Sequence, residues 1–172
     1  MVKFQSLAAL ATTFLVISTP IAVMAHTGTA PQDFNVAQTY TQNIEGWNRT
    51  RWGMSIAEVQ KIFTGLQPDS PTVNGEPRLV LKGFSLNSFT YDVSFAFGVN
   101  GLRAVNLEQV GGDAEVGFSL LLNDLKEKYG QPTSTNSLGA VKWILPSTEI
   151  ILLRVNQILI LSYIPKQARQ EI

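Results

Sequence analysis

Two carboxylates, Asp92 and Glu108, are the residues of this sequence best placed for acid–base chemistry. The strand pattern sets them opposite each other, and Lys82 is expected opposite Asp92 on the neighbouring strand. Two close carboxylates can serve as general acid and general base when their pKa values are driven apart. Unlike charges across strands are also ordinary stabilisers of a sheet, and an outward-facing surface gives no reason for a raised carboxyl pKa. We therefore favour a solvated charge ladder over a catalytic pair.

Other common catalytic patterns are missing from the sequence, so we predict that the protein is not an enzyme. His26, which lies far from the predicted domain, is the only histidine, and a Ser-His-Asp arrangement needs one. No Ser-x-x-Lys motif occurs, and Gly111-Gly112 lacks the spacing of a phosphate-binding loop. The chain has no cysteine, which excludes disulfides, thiolate metal sites and a catalytic thiol.

A metal site would have to involve His26. If the chain is cut after Ala25, the imidazole of His26 and the new terminal amine could chelate copper together. Copper sites of this kind need a further nitrogen or sulfur donor, and the chain offers neither a second histidine nor a cysteine. We interpret His26 as a disordered terminal residue and expect no metal and no cofactor.

The candidate binding residues are Trp47, Arg49 and Arg51, which lie in a short segment before the first predicted helix. Aromatic side chains and arginines are favoured at protein interfaces. Burial in the fold is an equally open alternative for Trp47 and Arg49, and for Trp52 it is the interpretation that we prefer. Asn48-Arg49-Thr50 is also a glycosylation sequon, which has meaning only in a eukaryotic host.

The first 25 residues have the layout of a secretory signal peptide. Lys3 supplies a positive charge, an apolar run extends from Leu7 to Ile17, and small side chains precede a cleavage point after Ala25. The apolar run is too short to span about 30 Å of hydrocarbon. We therefore expect a periplasmic or secreted protein with no stable membrane insertion after cleavage.

Composition bears on the class of partner. The whole chain has 13 basic and 13 acidic residues, and removal of Lys3 with the signal peptide leaves 13 − 1 = 12 basic residues. No basic patch or charge block stands out, which argues against nucleic acid. We expect the partner to be another envelope or secreted protein; the oligomeric state stays open.

The start of the first helix has a complete structural signature. Ser55 and Glu58 have the spacing of a capping box, in which each side chain satisfies a backbone amide of the other residue. Met54 and Val59 are placed to form a hydrophobic staple. This pattern predicts a helix from Ile56 to about Thr64, ended by Gly65.

The remaining periodicity predicts a second helix and six strands. The helix spans about residues 114–129, and the strands span 78–84, 89–97, 102–110, 140–145, 148–154 and 158–164. Gly101 is expected in the left-handed conformation within a three-residue link, residues 99–101. This link pairs Phe95 with Val105 and Val93 with Leu107, so that apolar side chains meet. Trp143, on a strand, is expected in the core.

The order of elements predicts one α+β domain built from tandem α-β-β-β repeats. We expect a flexible leader at residues 26–46, a domain at 47–164 with repeats at 47–112 and 113–164, and a polar tail at 165–172. Antiparallel strands would form a curved sheet with both helices packed on one face. Whether the two repeats share one sheet stays open.

Part of the sequence resembles a known group of envelope proteins. Gly53-Met54-Ser55 with Val59, a glycine-to-proline helix exit, and residues 95–102 are similar to outer-membrane assembly lipoproteins of the SmpA/BamE type and the related β-lactamase-inhibitor-like repeats. The resemblance implies helices followed by three-stranded antiparallel sheets, single or tandem. Two features depart from it: the lipid-bearing cysteine is absent, and the second half lacks the Gly-Met-Ser start.

These observations support three functional hypotheses. The first is a non-enzymatic protein-binding module that uses the exposed sheet face or the Trp47–Arg51 segment. The second is a sharper version, an inhibitor or immunity-type protein for a secreted enzyme. The third is a small-ligand carrier, with an apolar pocket between sheet and helices lined by Phe89, Tyr91, Phe118 and Leu122.

Overall fold

The computed structural model describes residues 43–69 and 76–166. The predicted signal peptide, residues 26–42 of the leader with His26, and residues 167–172 of the tail lie outside these ranges. The helices are α1 (Ile56–Ile62) and α2 (Ala114–Tyr129). The strands are β1 (Gln67–Pro68), β2 (Arg78–Leu86), β3 (Phe89–Gly98), β4 (Gly101–Gln109), β5 (Ser134–Thr135), β6 (Val141–Ile144), β7 (Thr148–Val155) and β8 (Ile158–Pro165). Neither helix in the described ranges has the length and apolarity that a membrane crossing requires.

All eight strands belong to one antiparallel sheet, which confirms the α+β class. Their order is β1-β2-β3-β4-β8-β7-β6-β5, so each helix is followed in sequence by four strands that lie side by side. The last strands of the two halves, β4 and β8, pair at the centre, with Val105 opposite Tyr163 and Leu107 opposite Leu161. The question left open by the sequence is thereby answered, because both halves share one sheet.

The predicted register of the β3–β4 hairpin is confirmed. Phe95 pairs with Val105 and Val93 pairs with Leu107, as the matching of apolar side chains requires. Gly101 has the expected left-handed φ of 86°. The loop itself is shorter than predicted, because Gly98 already pairs with Gly101 and the register shifts between Ala96 and Phe97 instead.

Local signals set the ends of both helices. In α1 the capping box is complete: the Glu58 amide donates to Ser55 Oγ at 3.3 Å, and the Ser55 amide donates to Glu58 Oε2 at 2.8 Å. This helix ends at Ile62, two residues earlier than predicted, because Phe63 is extended. The α2 helix has the predicted bounds. Its N-cap is Asp113, and Gly130 ends it at a φ of 80°.

The six predicted strands are present with ends shifted by one or two residues. The structure adds two strands that the sequence did not indicate, β1 and β5, each of two residues at an edge of the sheet. Two residues are too few for alternation to be visible in a sequence. Short edges, one of them containing Pro68, also leave little backbone available for pairing with other chains.

Most of the buried hydrophobic side chains form one cluster that includes residues of both helices and alternate residues of the central strands. The sheet face that these strand residues share is here called the core face. The cluster members on the central strands include Val93, Phe95, Leu107 and Leu161, which are at most 1% exposed. Trp143, also 1% exposed, belongs to the same cluster, as predicted. The opposite side of the sheet is called the open face below.

Candidate functional site on the open face of the sheet

The first predicted binding residue, Trp47, is used inside the fold. Its side chain is 8% exposed, and its ring lies 5.9 Å from Phe63, 5.3 Å from Phe84 and 5.9 Å from Phe95, measured between ring centroids. Such aromatic pairs add about 0.5–1.5 kcal/mol each beyond their burial. The indole of Trp47 therefore contacts three segments of the chain, namely the residue that follows α1, β2 and β3.

The two predicted binding arginines differ in how far the fold uses them. Arg49 Nη2 donates to the carbonyl of Ile62 at 2.8 Å, and its guanidinium lies 5.6 Å from the Phe63 ring centroid. A cation near the last carbonyls of a helix is favourable, so Arg49 stabilises the C-terminal end of α1. The side chain of Arg51 is exposed; its backbone amide donates to Met54 Sδ at 3.3 Å.

Residues 43–54, called the strap below, connect the first half of the chain to β7 in the second half. Trp52 Nε1 donates to Thr148 Oγ1 at 2.8 Å, and the same hydroxyl donates to the carbonyl of Ile44. The amide of Ser147 donates to Asn43 Oδ1 at 3.0 Å. Because Thr148 is fully buried, these bonds fix the strap from one side.

Backbone contact with the β3–β4 turn fixes the strap from the other side. The Gly53 amide donates to Leu102 O at 3.0 Å, and the Leu102 amide donates to Met54 O at 2.8 Å. A side chain at Gly101 would place its Cβ 2.2 Å from the Gly53 carbonyl oxygen. Two of the three sequence features on which the suggested resemblance is based therefore touch each other, which their spacing in the sequence does not reveal.

The predicted charge ladder lies on the open face. Asp92 is opposite Glu108 in the register, and Lys82 Nζ lies 2.6 Å from Asp92 Oδ2. The hydrogen bond to Asp92, and then its charge, raise the pKa of Lys82. Asp92 Oδ1 also accepts from the amide of Gly83 at 3.3 Å. One oxygen of Asp92 thus faces an ammonium and the other a backbone amide, as expected for a stabilising pair.

A polar cavity of about 420 Å³ surrounds this ladder. Its floor is a row across three strands, in which Asn106 pairs with Ser94 on one side and with Ser162 on the other. Ser94 is only 9% exposed. The lining is completed by Asp69, Arg78, Val80, Lys82, Asp92, Glu108 and Ile160.

Beside the cavity, the open face of β6–β8 is aliphatic. The register places Ile151 opposite Ser162 and Leu153 opposite Ile160, on the face away from the core. We define the aliphatic patch by five residues with partly or well exposed side chains: Ile144, Ile151, Leu153, Ile160 and Ile164. Val155 and Ile158, both about half exposed, extend it to the β7–β8 turn.

Two apolar runs in the sequence indicated this patch, but because they do not alternate with polar residues they did not show which side chains would be exposed. Ile150–Leu153 and Ile158–Leu161 are continuous apolar runs, which are typical of strands buried on both faces. In the structure Ile150, Leu152, Leu159 and Leu161 fill the core face and are at most 1% exposed. The remaining members of the two runs, namely Ile151, Leu153, Ile158 and Ile160, therefore lie on the open face and are not part of the core.

The residues predicted to line a ligand pocket pack against the core cluster, and none of them lines the polar cavity. Tyr91 is fully buried, and Phe89, Phe118 and Leu122 are partly buried against the core cluster. The Tyr91 hydroxyl has no hydrogen-bond partner among the described residues, and burial raises its pKa. Within the same ranges, no three histidine or carboxylate side chains are grouped so that they could hold a metal ion.

Comparisons with protein-family models, with curated proteins and with solved structures give no match to this chain. The case for a function therefore depends on the geometry of the open face.

Proposed function

We propose that this chain is an exported, non-enzymatic protein that binds another protein through the aliphatic patch. The observation that carries the proposal is a cluster of five aliphatic side chains on a sheet face whose opposite side already holds the core. Contiguous apolar surface beside polar groups is typical of protein interaction sites. A localisation in the periplasm or outside the cell is part of the proposal, supported by the apolar run at Leu7–Ile17.

The first half of the sheet supports this interpretation, because its open face is polar. At the positions where β7 and β8 carry Ile151 and Ile160, β3 and β4 carry Ser94 and Glu108. The same strand arrangement is thus compatible with charged and hydroxyl side chains on this face. Folding alone does not account for the aliphatic residues of the second half.

The charges around the patch suggest the chemistry of the partner. Lys142 and Glu149 form an ion pair within it, with Nζ 3.2 Å from Oε2; Glu149 lies between Ile144 and Ile164, and Lys142 lies opposite Ile151. At the near edge Glu108 lies opposite Ile160, and no ion pair within residues 43–69 and 76–166 involves it. An apolar centre with a polar rim is the usual anatomy of an interface. We propose a partner surface with an apolar centre and a basic side chain that meets Glu108.

We further infer that the chain is a tandem α-β-β-β protein with both helices on the core face. The order of elements, a helix and then adjacent strands in each half, supports this inference. So do the contacts of the helices: the Phe63 ring, directly after α1, lies 5.3 Å from Phe95, and Gly117 of α2 lies close to Leu159. A relation to the SmpA/BamE-type proteins remains a proposal that depends on the strap and the Gly101 turn.

Site-specific photo-crosslinking in the native host tests the binding proposal. A benzophenone amino acid would replace Ile151 in the patch and, as the matched control, Leu138, which is 76% exposed in the turn between β5 and β6. We expect one discrete adduct from position 151, absent from position 138 and lost when Leu153→Glu is added. Equal adducts at both positions, or none at 151, would overturn the proposal. An adduct with a secreted hydrolase would favour the inhibitor hypothesis.

A further inference from the structure

A second cavity, distinct from the open face, has the properties of a small-molecule site. It is a cleft of about 500 Å³ between the strap and the C-terminal end of α2. Pockets that bind small ligands usually measure about 300–1,000 Å³ and combine an apolar, aromatic lining with a few polar groups. The cleft is lined by residues of the strap, by β2 with Phe84, by the end of α2 with Lys128 and Tyr129, and by Tyr163 of β8.

The inner lining is aromatic and rigid. Trp47, Tyr129 and Tyr163 are each less than 10% exposed, and Phe84 packs edge-on against Trp47 with their ring centroids 5.3 Å apart. Burial and the neighbouring Tyr129 hydroxyl raise the pKa of Tyr163 well above its usual range. Tyrosine hydroxyls are protonated at neutral pH even at their ordinary pKa of about 10, so Tyr129 and Tyr163 add no negative charge to the inner lining.

The mouth of the cleft carries more positive than negative charge. Arg51 and Lys128 are both exposed, and no ion pair in the part of the chain that the structure describes involves either of them. Glu45 is the single acidic residue of the lining. Lys128 Nζ lies 5.1 Å from the Tyr129 ring centroid, which holds this cation beside the aromatic wall.

We propose that the cleft binds a small aromatic carboxylate. The ring would lie against Trp47 and Phe84, and the carboxylate would accept hydrogen bonds from Arg51 and Lys128. Charge-assisted bonds of this kind are stronger than neutral ones, and the guanidinium fork matches a carboxylate. The proposal is independent of protein binding at the aliphatic patch, since none of the five patch residues lines the cleft.

Titration calorimetry with 2-naphthoate, compared with the uncharged 2-naphthalenemethanol, tests the proposal on the purified chain. We expect 2-naphthoate to bind with a stoichiometry of one and about 100-fold more tightly than the alcohol, about tenfold for each of the two hydrogen bonds to a charged group. Lys128→Gln and Arg51→Gln should each weaken 2-naphthoate about tenfold and leave the alcohol unchanged. Lys142→Gln, on the open face, is the control and should alter neither affinity.

The indole N–H signals in a two-dimensional NMR spectrum locate the bound molecule. Trp143 Nε1 donates to Gly130 O at 2.9 Å and lies outside the cleft, so its signal serves as an internal reference. We expect 2-naphthoate to shift the Trp47 signal and leave the Trp143 signal in place. Failure to bind 2-naphthoate, equal affinity for the alcohol, unchanged affinity in both glutamine variants, or a shift of Trp143 alone would overturn the proposal.

Discussion

The two halves of the open face have the same strand arrangement but opposite chemistry. On the β3–β4 side this face carries Asp92, Ser94 and Glu108, whereas on the β7–β8 side it carries Ile151 and Ile160. On the core face, by contrast, both halves are apolar and buried. Both halves thus contribute apolar side chains to the core, and they differ in the polarity of the side chains on the open face.

The comparison distinguishes core-face residues, which both halves need to be apolar for folding, from open-face residues, which can be polar or aliphatic. A half-sheet with a polar open face is stable beside one with an aliphatic open face, so the aliphatic side chains need a reason other than folding. Exposed apolar side chains also carry a cost, since they favour aggregation. We infer that binding to a partner is what offsets this cost.

The largest expected effect is the difference in unfolding free energy between substitutions on the two faces of β8. Leu161, 1% exposed on the core face, should cost about 3–4 kcal/mol of unfolding free energy when changed to Ala, because the change leaves a cavity. Its neighbour Ile160 points to the open face, and Ile160→Ala should cost about 1 kcal/mol. Chemical denaturation of both variants measures the difference. Equal costs would mean that the folded chain covers its own open face, and the comparison would fail.

A smaller effect is expected where the strap meets the first half. Gly101→Ala should lower the unfolding free energy by about 2–3 kcal/mol, because the left-handed conformation and the Gly53 carbonyl both oppose a side chain there. Gly65→Ala is the matched control: its φ is 83°, but no atom lies within 4 Å of the added Cβ, and the expected cost is about 1 kcal/mol. Thermal melts of the two variants should differ accordingly. If their melting temperatures agree, the strap contact does not stabilise the first half.

The smallest expected effect concerns the charge ladder of the polar half. The pKa of Lys82 is raised in the folded state, so its contribution to stability is present below the unfolded lysine pKa of about 10.4 and is lost as the pH rises through the higher folded value. Wild type should therefore be slightly more stable than Lys82→Gln at neutral pH, and the gap should close in strong alkali. Parallel denaturation curves across this range provide the measurement. A gap that is independent of pH would show that the ion pair with Asp92 is not its source.

Sequence predicted the parts of this fold that local rules control. The capping box of Ser55 and Glu58 set the start of α1, and apolar matching set the pairing of Phe95 with Val105. The charge ladder followed from the same register. Each of these features depends on residues that are close in sequence or joined by one short turn.

The parts that the sequence left open or missed depend on contacts between distant segments. The rings around Trp47 come from three separate elements, and its burial is decided by their meeting in space. The contact of Gly53 with Gly101 has the same origin. The aliphatic patch was missed for another reason: a continuous apolar run such as Ile150–Leu153 does not alternate, so it does not indicate which of its side chains fill the core.

One measurement tests the central claim most directly: the affinity of the crosslinked partner, once purified, for two variants whose stability is first compared with that of the wild type by chemical denaturation. Ile151→Glu places a charge in the patch opposite Lys142, whereas Asp92→Asn changes the polar half. We predict that Ile151→Glu weakens binding by about 100-fold, as expected for a central interface residue, and that Asp92→Asn changes it by less than about threefold. Unchanged binding by Ile151→Glu, or a larger loss with Asp92→Asn, would contradict the claim that the aliphatic half of the open face is the docking surface.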